Sequence, residues 1–201
     1  MMKGNLFVIS GPSGAGKGTV CGAFMKKHPE VYLSVSATTR APREGEIDGK
    51  SYFFISEEEF RTKISKDDFL EHAVYCGNYY GTPKDKAMEQ LEAGRDVILE
   101  IESDGAMQVR AHFPEGVFIF VCPPSMEELE RRLTGRGTET PEVVHERLEK
   151  AKLEFRRADK YNYMLLNDEV DMAVERLEAI IAAEKSYMPR NIEFLNKEFL
   201  K

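Results

Sequence analysis

Short, almost continuous apolar runs alternate with segments of helical periodicity along this chain. The runs are Leu6–Ile9, Tyr32–Val35, Val97–Ile101, Val117–Val121 and Tyr163–Leu166. Strands that are apolar at nearly every position are buried on both faces, and helices must do the covering. The pattern predicts an α/β fold, a five-stranded parallel sheet core flanked by helices.

The helical segments carry their own punctuation. A helix is expected from the glycines at 11–16 to about Lys27. Ser56 with Glu59, and Ser125 with Glu128, have capping-box spacing, in which each side chain satisfies a free N–H of the first turn. Gly94 follows Met88–Ala93 where a helix-ending glycine belongs. Thr140-Pro141 opens a charged helix expected to reach about Lys160, with Pro141 suited to the first helical position. Val170–Glu184 is amphipathic. Residues 37–82, rich in Arg, Gly and Tyr, and the polar stretch 134–147 interrupt the alternation and read as insertions on one core made of 1–36, 83–133 and 148–185. The tail, 186–201, carries Ile192, Phe194, Leu195, Phe199 and Leu200. It could dock on its own core or on another subunit, which leaves a homo-oligomer open.

Composition narrows the setting. With 201 residues, 42% of them hydrophobic, the chain can bury one core. No apolar run approaches the ~20 residues of a membrane span, and the first residues run straight into a strand, leaving no room for a signal peptide. A formal charge of -7 disfavours nucleic acid as a partner, because backbone binding rests on clustered cations. It allows a small phosphorylated ligand. Cys21, Cys76 and Cys122 are odd in number and lack metal-ligand spacing, so they read as reduced thiols of a cytoplasmic protein. His28, His72, His112 and His145 show no catalytic spacing.

The strongest chemical signal is Gly11-Pro12-Ser13-Gly14-Ala15-Gly16-Lys17-Gly18-Thr19, set between a strand and a helix. Such a loop curls so that its N–H groups point at phosphate oxygens, and the helix start adds partial positive charge. Lys17 can reach the outer phosphates and is expected to face solvent when they are not bound. The strict pattern has Ser or Thr directly after the lysine. Here Gly18 intervenes, and one step along a helix turns a side chain by roughly 100°, which argues against direct magnesium ligation by Thr19.

Beyond that loop, the chain resembles the guanylate kinases to about residue 185. The resemblance rests on Ser34-Val35-Ser36-Ala37-Thr38-Thr39-Arg40-Ala41-Pro42-Arg43, Gly45-Glu46, Gly49-Lys50, Tyr52-Phe53-Phe54, Gly77-Asn78-Tyr79-Tyr80-Gly81-Thr82, Glu100-Ile101-Glu102, Pro123-Pro124-Ser125 and Arg136-Gly137-Thr138-Glu139. It implies a P-loop kinase fold in which 37–82 binds GMP and 134–147 forms a lid over ATP. It also implies a magnesium-dependent transfer of phosphate from ATP to GMP, with dGMP as a related acceptor.

By the same resemblance, Glu71 reads the guanine base and Ser36 and Thr82 complete its contacts. A carboxylate can accept from both the ring N–H and the amino group of guanine, a pair adenine lacks. Arg40 and Arg43 offer guanidinium forks to the GMP phosphate, and Tyr52 and Tyr80 can add phenolic donors. Glu100 and Glu102 are expected to alternate on one strand and point to the same side. Glu100 is assigned to hydrated magnesium and Glu102 to GMP. Arg132, Arg136 and Arg147, with Lys17, are expected to converge on the moving phosphoryl group as the lid closes. Arg147 is expected to open the helix after the lid. Two rival readings start from the same residues. One is a guanylate-kinase-like interaction domain without activity. The other is a kinase of similar fold for another phosphorylated substrate.

Overall fold

The computed structural model describes residues 3–135 and 140–200. The chain runs through β1 (Leu6–Ser10), α1 (Lys17–Lys27), β2 (Tyr32–Leu33), β3 (Ala37–Thr38), β4 (Phe53–Phe54), α2 (Glu57–Ser65), β5 (Phe69–Tyr75) and β6 (Asn78–Pro83). It continues through α3 (Lys84–Glu92), β7 (Val97–Glu100), α4 (Ser103–His112), β8 (Val117–Cys122), α5 (Met126–Thr134), α6 (Pro141–Phe155), β9 (Tyr163–Leu166), α7 (Val170–Ser186) and α8 (Met188–Phe199).

The five apolar runs do form one parallel sheet, ordered β2-β7-β1-β8-β9. Alternation along β1 assigns its two faces. Phe7 and Ile9 pack with Val20 and Phe24 of α1 and with Val174 and Leu177 of α7. Leu6 and Val8 pack with Ala87 and Leu91 of α3 and Val109 of α4. Burying each such side chain contributes roughly 1.5–3 kcal/mol, so the two-sided core is what holds the sheet. β1 lies between β7 and β8. Strand order reverses there, and the crevice beyond its C-terminal end is where open α/β sheets collect ligands.

Residues 37–83 carry a second, smaller sheet ordered β4-β3-β6-β5, with Phe60 of α2 and Phe69 of β5 packed on Ala37 beneath it. This sheet is pinned to the core by Gln108 of α4. Its side-chain oxygen accepts from His72 N at 3.1 Å, and its Nε2 donates to His72 O at 3.0 Å.

The capping signals act as read: Ser56 accepts from Glu59 N at 3.1 Å and Ser125 from Glu128 N at 3.2 Å. Three boundaries differ. β2 is two residues long, as suits an edge strand. The helix that Pro141 opens stops at Phe155 instead of Lys160, and a 3₁₀ turn at Ala158–Lys160 follows. The break lets Phe155 and Tyr161 both reach the ring of Phe120, with centroids 5.5 and 4.9 Å away, while Asn162 accepts from Phe118 N at 2.9 Å. A continuous helix could not deliver both rings and also enter β9. Finally, residues 141–147 of the polar stretch are the start of the helix expected to open at Pro141, and Arg147, expected to open a helix, lies in its interior. The tail forms α8, which returns to α7 through Arg190 Nε and Glu184 at 2.7 Å. It leaves Met188, Ile192, Phe194, Phe199 and Leu200 exposed.

Candidate active site at the phosphate loop

The loop between β1 and α1 has the conformation its glycines allow. Gly16 is the N-cap of α1, with φ 90° and ψ 23°, a left-handed geometry that costs other residues about 1–2 kcal/mol. Space is as strict as conformation there: a Cβ on Gly16 would lie 2.3 Å from Asn167 Nδ2. That amide clamps the loop by donating to Ala15 O at 2.7 Å. Arg132, in the last turn of α5, joins the clamp by donating to Asn167 O at 2.9 Å and Ala15 O at 3.4 Å. Arg132 is itself oriented by Glu128 at 2.7 Å. The guanidinia of Arg131 and Arg132 together hold the Glu128 carboxyl down at about 2. Arg147 reaches the loop from α6 and donates to Ser13 Oγ at 2.8 Å.

Lys17 corrects one expectation. Its side chain is only 10% exposed and folds back on its own loop, donating to Gly11 O at 2.5 Å and Pro12 O at 3.3 Å. An ammonium has three donors and no acceptor, so the loop carbonyls it meets are the nearest way to satisfy it. It also faces Glu102 Oε1 at 3.7 Å.

The two carboxylates do face one region, but not from one strand. Glu100 ends β7, whereas Glu102 is the N-cap of α4 with φ −73° and ψ 161°. Extended backbone persists across the junction, so the alternation survives the change of element. Glu100 stands over Gly18, where a Cβ would be 3.3 Å from its Oε1. Its pKa is raised, chiefly by desolvation, with Lys17 opposing the rise and Glu102 adding to it. Thr19 is exposed one residue further on.

On the second sheet, Glu71 and Thr82 are register partners across β5 and β6. Thr82 Oγ1 donates to Glu71 Oε1 at 2.7 Å inside the protein. The other carboxylate oxygen faces α4, 2.8 Å from where a Cβ on Gly105 would stand. Burial pushes the Glu71 carboxyl up, against the hydrogen bonds from Thr82. Ser36 immediately precedes the Ala37–Gly81 pair on the side of Thr82, and its carbonyl accepts from Phe53 N at 2.9 Å.

Arg40, Tyr52 and Tyr80 form one group. The Arg40 guanidinium lies 5.5 Å from the Tyr52 ring centroid, and the two tyrosine rings are 6.0 Å apart. Glu46 binds both ends of the Arg40 fork at 3.0 and 2.8 Å and accepts from Arg43 N at 2.7 Å. That pairing holds the Glu46 carboxyl below its ordinary range. The fork is thus pre-oriented, and an incoming anion would compete with Glu46 for it.

The structure therefore brings Lys17, Arg132, Arg147 and the loop 11–19 together, gathers Glu71 with Thr82, and groups Arg40 with Tyr52 and Tyr80. Arg136 lies outside the described residues. Sequence reading gave no site role to Asn167, Glu46 or Gln108, and saw Glu128 only as a capping partner of Ser125. Asn167 follows the last sheet strand at the ligand-collecting edge, and Glu46 sits three residues after Arg43, so position offered a signal for these two. Gln108 is one polar residue on a helix, and only the fold shows its partner.

A family model described as guanylate kinase matches residues 3–184. A guanylate kinase of Caldanaerobacter subterraneus subsp. tengcongensis is 56% identical over 189 residues, covering 94% of this chain and 92% of that protein. One from Halalkalibacterium halodurans is 54% identical over 191 residues, with 95% and 94% covered. The crystal structure of guanylate kinase from Anaplasma phagocytophilum superposes with a TM-score of 0.75 at 32% identity, covering 98% of this chain and 96% of that one. With a phosphate loop at the switch point of its sheet and these relatives along almost its whole length, the chain belongs to the guanylate kinase family and is an enzyme of that family.

Proposed function

We propose that the chain catalyses magnesium-dependent transfer of the γ-phosphoryl group of ATP to GMP, giving ADP and GDP, in purine nucleotide metabolism and GMP recycling. One observation carries the reading. The buried Glu71–Thr82 pair is set against Gly105 of α4, and the N-cap of that same helix, Glu102, lies 3.7 Å from Lys17. The carboxylate assigned here to the base and the lysine assigned to phosphate thus both lie against the start of α4, which supports one site for both substrates.

ATP phosphates would lie along the N–H groups of 11–19, with Lys17 leaving the loop carbonyls to meet them. Arg132, Arg136 and Arg147 would neutralise charge on the group in flight. GMP would place its base on Glu71, Thr82 and Ser36 and its phosphate on Arg40, Arg43, Tyr52 and Tyr80, with Glu102 beside it. In-line transfer asks little covalent chemistry of these groups, and positioning and charge stabilisation do most of the catalysis. None of these assignments addresses the ribose, so dGMP is accepted too.

Magnesium fits as an ion carried in with the nucleotide. Among the described residues no group of three or more His, Cys, Asp or Glu could hold a metal, and this ion is commonly held through phosphates and its own waters. Glu100 would accept hydrogen bonds from such waters, and the bound ion would neutralise phosphate charge. The free thiols at Cys21, Cys76 and Cys122 support a cytoplasmic setting, and no helix among the described residues is long and apolar enough to cross a membrane. The net charge of -7 supports a partner list of small nucleotides without nucleic acid.

A coupled ADP assay with GMP, dGMP, AMP, CMP and UMP, each with and without magnesium, tests the proposal. Turnover with GMP and dGMP far above the other three, lost without magnesium, is expected. Equal rates across acceptors, or preference for AMP, would overturn it, and no turnover at all would favour an interaction domain.

A further inference from the structure

A polar cluster runs behind the phosphate loop, and its members Glu154, Lys150, Ser103 and Tyr161 have no part in the mechanism above. Glu154, in the last turn of α6, is 5% exposed. Its Oε2 accepts from Ser103 Oγ at 3.1 Å, in the first turn of α4. Its Oε1 faces Lys150 Nζ, one turn earlier on α6, at 3.8 Å. Lys150 in turn lies 3.4 Å from Glu102 Oε2, while the other oxygen of Glu102 faces Lys17 at 3.7 Å. Tyr161 turns its hydroxyl toward Ser10 and Ser103, at a geometry short of a full hydrogen bond. Ser10 is the last residue of β1, directly before the loop.

A buried carboxylate must be compensated or it neutralises. Among the described residues Glu154 has one close hydrogen bond, from Ser103, and one ion pair, with Lys150, which is shared with Glu102, while Lys17 adds a weaker, more distant attraction. The two acids therefore compete for Lys150, and the lysine and Lys17 both compete for Glu102. We propose that Glu154 is a positioning residue for the acceptor site: it shares Lys150, which donates to Glu102 at 3.4 Å, and so weakens that lysine's hold on Glu102 enough for GMP to displace it. The inference rests on the reading of Glu102 as a GMP contact. α6 also carries Arg147 to Ser13, so the same helix sets a donor-side cation and the restraint on an acceptor-side acid.

The test is a double-mutant cycle in the full chain, read by KM for GMP, KM for ATP, kcat and melting temperature. Glu154→Gln keeps the volume and an acceptor for Ser103 but removes the charge that attracts Lys150. It is expected to raise KM for GMP about five- to tenfold, a coupling on the order of 1 kcal/mol, with KM for ATP within twofold. Lys150→Met in the Glu154→Gln background is expected to bring KM for GMP back to within twofold of Lys150→Met alone, because no lysine remains to occupy Glu102. A structural role would lower melting temperature and kcat together, and Lys150→Met would not rescue it. That pattern, or an unchanged KM for GMP in Glu154→Gln, overturns the inference. Glu102→Gln separates the two claims. A normal KM for GMP in that variant removes the acceptor role of Glu102 and the inference with it, whereas an impaired Glu102→Gln without rescue in the cycle overturns the inference alone.

Discussion

Glu71→Gln tests the base-reading proposal most directly, because the substitution changes charge and one donor but hardly changes shape. Glu71 is 8% exposed, and Thr82 takes its Oε1 at 2.7 Å. Glutamine can keep its carbonyl oxygen on Thr82. The other position then becomes an N–H₂ group, and guanine presents donors to it. A charge-assisted hydrogen bond is replaced by a donor facing a donor, at a cost of about 1.5–3 kcal/mol, or roughly 10- to 150-fold in Kd. Titration calorimetry with GMP should show that loss, with affinity for a non-hydrolysable ATP analogue unchanged, and the preference for GMP over AMP should shrink.

Stability should move the other way. Burial raises the Glu71 pKa above its ordinary 4.5, so the folded protein binds this proton more readily than the unfolded chain. The stability associated with that proton is complete below pH 4.5 and is lost as pH rises through the folded value. At pH 7–8 the wild type therefore carries a desolvated charge that Glu71→Gln lacks. The variant should melt at or above the wild-type temperature there, and the gap should narrow toward acid. GMP binding at wild-type strength would remove Glu71 as the base reader. A variant that melts well below wild type at pH 8 would show that the carboxylate is structurally required instead.

Two further outcomes follow from the loop. Lys17→Ala should lower kcat by about 10²-fold or more while the protein stays folded by circular dichroism, and steady-state rates within threefold of wild type would end its catalytic assignment. Gly16→Ala combines a left-handed backbone strain with a Cβ 2.3 Å from Asn167 Nδ2, which forces the amide off Ala15 O. The sum is about 2–3 kcal/mol, measurable as a lower urea midpoint at constant m, and a loss under about 0.5 kcal/mol would refute the clamp.

Much of this protein was set by local rules that a sequence carries openly. Near-continuous apolar runs such as Val117–Val121 can be satisfied only between two layers of helices, so the parallel sheet was legible before any coordinates. Ser56 and Ser125 announced their helices because a cap acts over three residues. The spacing of Gly11, Gly14, Gly16 and Lys17 marked the phosphate loop because backbone curvature is itself a short-range property. Tertiary structure decided what lies across the chain. Only the fold shows that Lys17 rests on the carbonyls of Gly11 and Pro12, that Asn167 reaches back 152 positions to clamp Ala15, and that Glu46 already holds Arg40. It also moved Glu102 from strand to helix cap while preserving its direction, and it ended α6 early so that Phe155 and Tyr161 could share Phe120. Hydrophobic periodicity averages over many residues and survives in a linear string. A polar contact depends on one atom meeting one other, and residues far apart in sequence find that partner only when the chain is packed.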